Sequence, residues 1–200
     1  EQPYDWNDSH DTKRGPLILV SDYGLKYNIL RILRSKGCRV MAMPVDAAAK
    51  DMLALNPDGI VLSPGPGDPA LLEYVVENAK QLVGHLPIMG ICLGHQIIAR
   101  IFGGKTFKLK FGHRGANHPV LDIQTGRIHI TAQNHGYAVA AEGIPTELEV
   151  SHINVNDNTV EGIRHRDLPI FSIQYHSEAS PGPLDSLYLF DKFLDMVRKY

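Results

Sequence analysis

Two short stretches hold residue types able to do covalent chemistry. Cys92 sits at the centre of Gly90-Ile91-Cys92-Leu93-Gly94, the G-x-nucleophile-x-G spacing with which α/β enzymes present a nucleophile on a sharp strand-to-helix turn. Glycines two residues either side let the backbone turn tightly and let strand and helix approach each other. A thiol near pKa 8.5 is only roughly 3% thiolate at pH 7, and a helix N-terminus or a neighbouring imidazolium raises that fraction. The spacing is short and arises by chance, and most cysteines are small buried hydrophobes, so Cys92 needs a partner. His176-Ser177-Glu178 supplies one. On an extended segment residues i and i+2 point the same way, so Glu178 fixes one imidazole nitrogen while the other faces a thiol. Together the two stretches read as nucleophile, base and orienting carboxylate.

The elements around them must do the positioning. Leu86, Ile88, Met89 and Ile91 form an apolar run suited to a central parallel strand covered on both faces. Ile97, Ile98, Ile101 and Phe102 then recur at helical spacing until Gly103-Gly104, which places Cys92 at a helix N-terminus. Upstream, residues 17–20 read as a strand, 23–35 as a helix, 38–43 as a strand, 52–55 as a short helix and 59–62 as a further strand. That strand runs into Ser63-Pro64-Gly65-Pro66-Gly67-Asp68-Pro69, where Asp68 is an N-cap, Pro69 is at the first helical position and 70–83 is the helix. Downstream, Phe107, Leu109 and Phe111 alternate with Lys108 and Lys110 over 106–111. Further strands, many of them antiparallel, are expected at 127–132, 137–141, 148–153, 159–164 and 170–175. An amphipathic helix over 185–200 closes the chain with Leu187, Phe190, Leu194 and Val197 on one face. The pattern predicts an α/β fold: a central, mostly parallel twisted sheet flanked by helices, with a smaller antiparallel sheet in the second half and ligands beyond the carboxyl ends of the strands. Residues 1–15 are polar and aperiodic and read as a linker or tail, leaving 16–200 as the domain.

Composition excludes several function classes. With 200 residues, 44% hydrophobic and 21% charged, the chain suits one globular domain. A net charge of −2 with scattered Lys and Arg gives no footprint for nucleic acid. No apolar run approaches the ~20 residues of a membrane span. Two cysteines, Cys38 and Cys92, make neither a disulfide framework nor a zinc site, and with no signal peptide a reducing cytoplasm or organelle matrix is expected, the cytoplasm first. The ten histidines form no H-E-x-x-H pattern, so no metal site is expected. Gly65-Pro66-Gly67 lacks the third glycine of a dinucleotide loop.

The combination of SPGPGDP, GICLGHQ, QNHG and HSEASPGP resembles the class I, triad-type glutamine amidotransferases over residues 17–200. GICLGHQ is shared across that class, whereas FGHRGANHPV (111–120), TAQNHGYAV (131–139) and EASPGP (178–183) are most similar to the glutaminase domain of carbamoyl-phosphate synthetase small subunits. The resemblance implies a triad of Cys92, His176 and Glu178, with glutamine contacts at Gly65, Gly67, Leu93, Gln96, Asn134, Gly136 and Tyr137. It implies hydrolysis of L-glutamine to glutamate and ammonia through a thioester, with ammonia passed to a synthetase for arginine and pyrimidine biosynthesis. ATP and metal are then needed only on the large synthetase subunit, and this chain needs no cofactor. The expected partners are that subunit and an N-terminal domain of the small subunit that has no counterpart here.

Some residues depart from the pattern. Ser177 stands where such proteins usually carry Pro, and Pro64 replaces the Asn of many bacterial members. The resulting SPGPG is that of the anthranilate synthase glutaminase, which stands as the alternative, although such relatives usually lack EASPGP. A regulatory module that binds glutamine without cleaving it is the second alternative, and the intact Cys92, His176 and Glu178 weigh against it.

Overall fold

The computed structural model describes residues 3–5, 15–179 and 181–200. Along the chain run β1 (Tyr4–Asp5), β2 (Leu17–Asp22), α1 (Tyr27–Ser35), β3 (Arg39–Pro44), α2 (Ala49–Ala54), β4 (Gly59–Leu62), a 3-10 turn at Pro69–Leu71, α3 (Glu73–Lys80), β5 (Ile88–Ile91) and α4 (Leu93–Ile101). They are followed by β6 (Thr106–Asp122), β7 (Ile128–Val139), β8 (Leu148–Asn154), β9 (Val160–His165), β10 (Ile170–Ile173) and α5 (Tyr188–Lys199).

Strands β3, β2, β4, β5 and β10 pair in parallel in that order. Their side chains alternate between two cores, as the two-residue period of a strand requires. Leu19, Ile60 and Leu62 pack with Met52 of α2, Val76 of α3 and Ile97 of α4 on one face. On the other, Ile18, Val20 and Val61 pack with Ile29 and Leu33 of α1 and Phe190 and Phe193 of α5. Burying each such side chain fully is worth about 1.5–3 kcal/mol, so covering both faces fixes these strands as the rigid platform of the fold.

The antiparallel strands expected in the second half are present, but they continue the parallel strands instead of forming a smaller sheet of their own. β9 pairs antiparallel with β10, so among the described residues all ten strands belong to one sheet. Beyond β10 the order is β9, β7, β6, β8, and β8 pairs back onto β9, giving the antiparallel half a barrel-like closure. The strands predicted at 127–132 and 137–141 are one element, β7, and 106–111 is only the start of the 17-residue β6. The polar, glycine-containing stretches between them look like breaks. Yet His113 opposes His135 and Arg114 opposes Asn134, and register shifts either side absorb the irregularity.

Other boundaries move for local reasons. The first helix begins at Tyr27 rather than 23, because Asp22 Oδ1 accepts hydrogen bonds from the Gly24 and Leu25 amides (3.0 and 2.9 Å) and holds a turn there. The helix expected over 70–83 divides into the 3-10 turn, capped by Asp68 Oδ1 on the Ala70 amide at 2.9 Å, and α3. Within the stretch read as a linker, Tyr4 and Asp5 pair antiparallel with Ala42 and Met41 of β3, while residues 1–2 and 6–14 of that stretch lie outside the described residues. No helix among the described residues is long and apolar enough to cross a membrane.

Candidate active site

Neighbouring parallel strands β5 and β10 carry the two reactive stretches to one edge of the sheet. Ile91 and Ile173, their last residues, are register partners, so Cys92 and His176 leave the sheet side by side. The Cys92 amide donates to the Ile173 carbonyl at 2.9 Å, tying the elbow to the neighbouring strand. At Cys92 the backbone enters positive φ (φ 53°, ψ −103°), a conformation that costs a non-glycine residue of order 1–3 kcal/mol. The flanking glycines explain how it is held. A Cβ on Gly94 would lie 2.1 Å from the Leu62 carbonyl oxygen, and one on Gly90 would lie 2.7 Å from the Gly94 backbone. Without them α4 could not sit against β4 and β5, and the turn would open.

His176 and Glu178 are not on an exposed loop: His176 is 6% exposed, and Ser177 and Glu178 are fully buried. His176 Nδ1 is 2.7 Å from Glu178 Oε1. Lys26 Nζ, at the N-terminus of α1, lies 3.3 Å from the same carboxylate oxygen, and the Asn28 side-chain amide donates to the Glu178 carbonyl. Oε1 of the buried carboxylate is thus faced by His176 and Lys26, which offset its desolvation, while Asn28 holds the main chain. Burial alone would push the His176 imidazole down. Its interactions with Cys92 and Glu178 outweigh that and lift its pKa to about 9. The other ring nitrogen, Nε2, is buried without a hydrogen-bond partner of ordinary geometry among the described residues, as is common before substrate tightens a site.

Two adjoining cavities, of about 390 and 90 Å³, open above Cys92. Gly65, Asn134 and Gly136 line both, and Gly67, Gln96 and Tyr137 line the smaller. Leu93 is buried directly after Cys92. The Gln96 side-chain amide is already committed, donating to the Tyr137 carbonyl at 2.8 Å and to Gln174 Oε1 at 3.0 Å, so it shapes the wall rather than presenting that donor to a ligand. Lys26, Arg114 and His135 also line the larger cavity and were not singled out from sequence. Lys26 is an ordinary helix-start lysine by pattern, and only its contact with a carboxylate 152 positions away marks it.

The buried Cys92 elbow and the hydrogen-bonded His176–Glu178 pair thus stand together at the end of parallel strands β5 and β10, in an α/β fold. Residues 19–196 match the family Glutamine amidotransferase class-I, and the chain belongs to that family. It is 58% identical over 180 residues to the carbamoyl phosphate synthase small chain of Akkermansia muciniphila, covering 90% of this chain and 48% of that protein. Against the protein of the same name from Symbiobacterium thermophilum it is 55% identical, covering 92% and 51%. The chain therefore spans about half the length of these curated relatives. Among solved structures, a putative GMP synthase subunit from Thermoplasma acidophilum superposes with TM-score 0.80 at 23% identity, covering 94% of this chain and 97% of that one. A glutamine amidotransferase from Thermotoga maritima superposes with TM-score 0.67 at 15% identity, covering 92% and 84%. At those identities the two structures show a shared fold.

Proposed function

We propose that this chain hydrolyses L-glutamine to L-glutamate and ammonia and supplies the ammonia to a carbamoyl-phosphate synthetase. The observation that carries the reading is the convergence of Cys92, His176 and Glu178 at one edge of the sheet, with Glu178 holding His176 Nδ1 at 2.7 Å. The thiol proton of Cys92 passes to His176 Nε2 before attack, the sulfur then attacks the side-chain amide carbon of glutamine, and the imidazolium returns that proton to the departing ammonia. Water, deprotonated by the same imidazole, then cleaves the thioester and releases glutamate. Glu178 keeps the ring oriented and balances its charge. For the oxyanion, the Leu93 amide and an amide of the Gly65-Pro66-Gly67 loop are the donors, since Pro66 has none to give. The smaller cavity walled by Gly67, Gln96 and Tyr137 takes up part of the glutamine, with Gly65, Asn134 and Gly136 lining both cavities.

The likeness to small chains of carbamoyl phosphate synthase supports two partners: a large synthetase subunit that uses the ammonia, and the remaining half of the small chain. In this reading the mostly parallel, twisted part of the sheet is the platform for hydrolysis and the barrel-like antiparallel half carries one wall of the pocket. Arginine and pyrimidine synthesis in the cytoplasm are the setting that goes with it, and the two thiols are free.

Glutamate release from glutamine tests the proposal. A glutaminase forms glutamate catalytically and loses Cys92 reactivity to a glutamine-like diazoketone when glutamine is present. Saturable glutamine binding without any glutamate would reject hydrolysis and leave a binding module.

A further inference from the structure

Strands β6, β7 and β9 bring together three metal-ligating side chains that no sequence spacing connects. The donor atoms of His113, His135 and Glu161 all lie within 4.8 Å of one another. We propose that these three residues form a site for one divalent transition-metal ion of the zinc class, beside the glutamine pocket and independent of the glutaminase reading.

Several features make this a built site rather than a chance meeting of polar groups. His113 and His135 are register partners on adjacent strands, with ring centroids 4.9 Å apart and planes at 83°. His113 Nδ1 lies 3.5 Å from Glu161 Oε1. With metal–nitrogen and metal–oxygen bonds near 2.0–2.2 Å, the edge of a tetrahedral site is roughly 3.3–3.5 Å. Glu161 is fully buried, and its Oε2 and His113 Nδ1 both lack a hydrogen-bond partner among the described residues. A carboxylate so placed calls for a positive charge next to it.

The outer atoms are already arranged as those of metal-bound histidines are. His113 turns Nε2 to Asp157 Oδ2 at 2.8 Å, and His135 turns Nδ1 to the Tyr137 carbonyl at 2.8 Å. Such partners fix the tautomer and leave the opposite nitrogen as the ligand. Asn154 Nδ2 donates to Glu161 Oε1 at 2.9 Å, holding that carboxylate in place. Gln133 Oε1 now sits 2.6 Å from His135 Nε2, so metal entry replaces that contact and swings the Gln133 side chain aside. Two imidazoles and one carboxylate suit zinc, cobalt or nickel rather than magnesium or calcium.

The test is a titration of the metal-free chain carrying Cys92→Ala, which removes the thiolate as a competing ligand. Visible absorption follows Co²⁺ binding, and Zn²⁺ is added in competition. One Co²⁺ per chain, displaced by Zn²⁺, is expected. Glu161→Gln should abolish binding. Asp157→Asn should weaken it about 10–100-fold, and Asp157 is 40% exposed, so this variant does not disturb the core. Absence of saturable Co²⁺ or Zn²⁺ binding would overturn the proposal and leave a proton on His113 as the group that balances Glu161. Binding left unchanged by Asp157→Asn and by a folded Glu161→Gln would overturn it equally.

Discussion

The carboxylate of Glu178 lies 2.7 Å from His176 Nδ1 and is closed off from solvent, with Lys26 Nζ 3.3 Å from the same oxygen. His176 therefore faces a carboxylate that is itself pinned, and the proposed mechanism gives the three groups separable duties. Under that mechanism Cys92→Ala and His176→Ala remove atoms needed in both the acylation and the hydrolysis steps, and each should abolish glutamate release. Glu178→Ala removes only orientation and charge balance, so kcat should fall by up to about 10⁴-fold yet stay measurable. Lys26→Met should cost less than Glu178→Ala, since it leaves the 2.7 Å contact in place. Steady-state kcat of the four variants checks the order; a His176→Ala chain that keeps most of its rate would place the base elsewhere.

The titration of two histidines gives opposite signs. His176 holds its proton up to about pH 9, above its ordinary 6.5, so the stability it contributes is complete below 6.5 and is lost as pH rises through 9. In the proposed mechanism the same proton goes to the departing ammonia, so kcat/KM should decline over that upper range. His95 behaves inversely. Burial pushes it down to about 3, with its Nδ1 2.9 Å from Ser172 Oγ and no exposure at all. Its contribution is present above 6.5 and is lost as pH falls from there towards 3, because the unfolded chain takes up a proton that the folded chain refuses. Urea midpoints across pH 4–10 should therefore fall at both ends, and His95→Gln should flatten the acid side.

Gly94→Ala tests the elbow from the packing side. The added methyl would meet the Leu62 carbonyl oxygen at 2.1 Å, backbone against which nothing flexible can yield. Overpacking of this kind costs typically 1–3 kcal/mol, and here the strain falls on the first turn of α4, next to Cys92. A lowered Tm together with a glutaminase rate reduced by more than tenfold is expected. A variant with native activity and Tm would mean that the close approach of α4 to β4 is not what holds Cys92 in its strained conformation.

The parts of the site that are local in sequence could be read from it. The elbow is a strand, a turn and a helix within fifteen residues, and His176 and Glu178 are two apart. What remained hidden depends on distant contacts. Lys26 gains meaning only from Glu178, and Asn28 bonds the Glu178 carbonyl 150 positions away. The continuity of β6 and β7 through glycine-containing polar stretches comes from cross-strand pairing, which no periodicity reveals. The single sheet likewise rests on β9 meeting β10 edge to edge. The alternating pattern of each strand is the same whether or not that pairing forms.

The final prediction concerns coupling. A glutaminase that ran freely would release ammonia with nothing to use it, so a domain serving a synthetase is expected to hold its catalytic geometry short of completion until the partner is present. Two features here are consistent with an incomplete site. His176 Nε2 makes no hydrogen bond of ordinary geometry among the described residues, and the oxyanion donor expected from Gly65-Pro66-Gly67 sits on a loop, with Gly67 at φ 106° and nothing within 4 Å of where its Cβ would be. One misplaced oxyanion donor costs about 10²–10³ in rate. The isolated 200-residue chain should thus hydrolyse glutamine at least about 10²-fold more slowly than a full-length small chain bound to its large synthetase subunit. It should form no carbamoyl phosphate alone from glutamine, bicarbonate and ATP, since its sequence has no G-x-x-x-x-G-K-[ST] phosphate loop. Glutamate release by the isolated chain, set beside that of the full complex under the same conditions, measures the difference. Equal rates would show a site already complete in this half of the protein, and the coupling would then have to act on ammonia transfer instead of on hydrolysis.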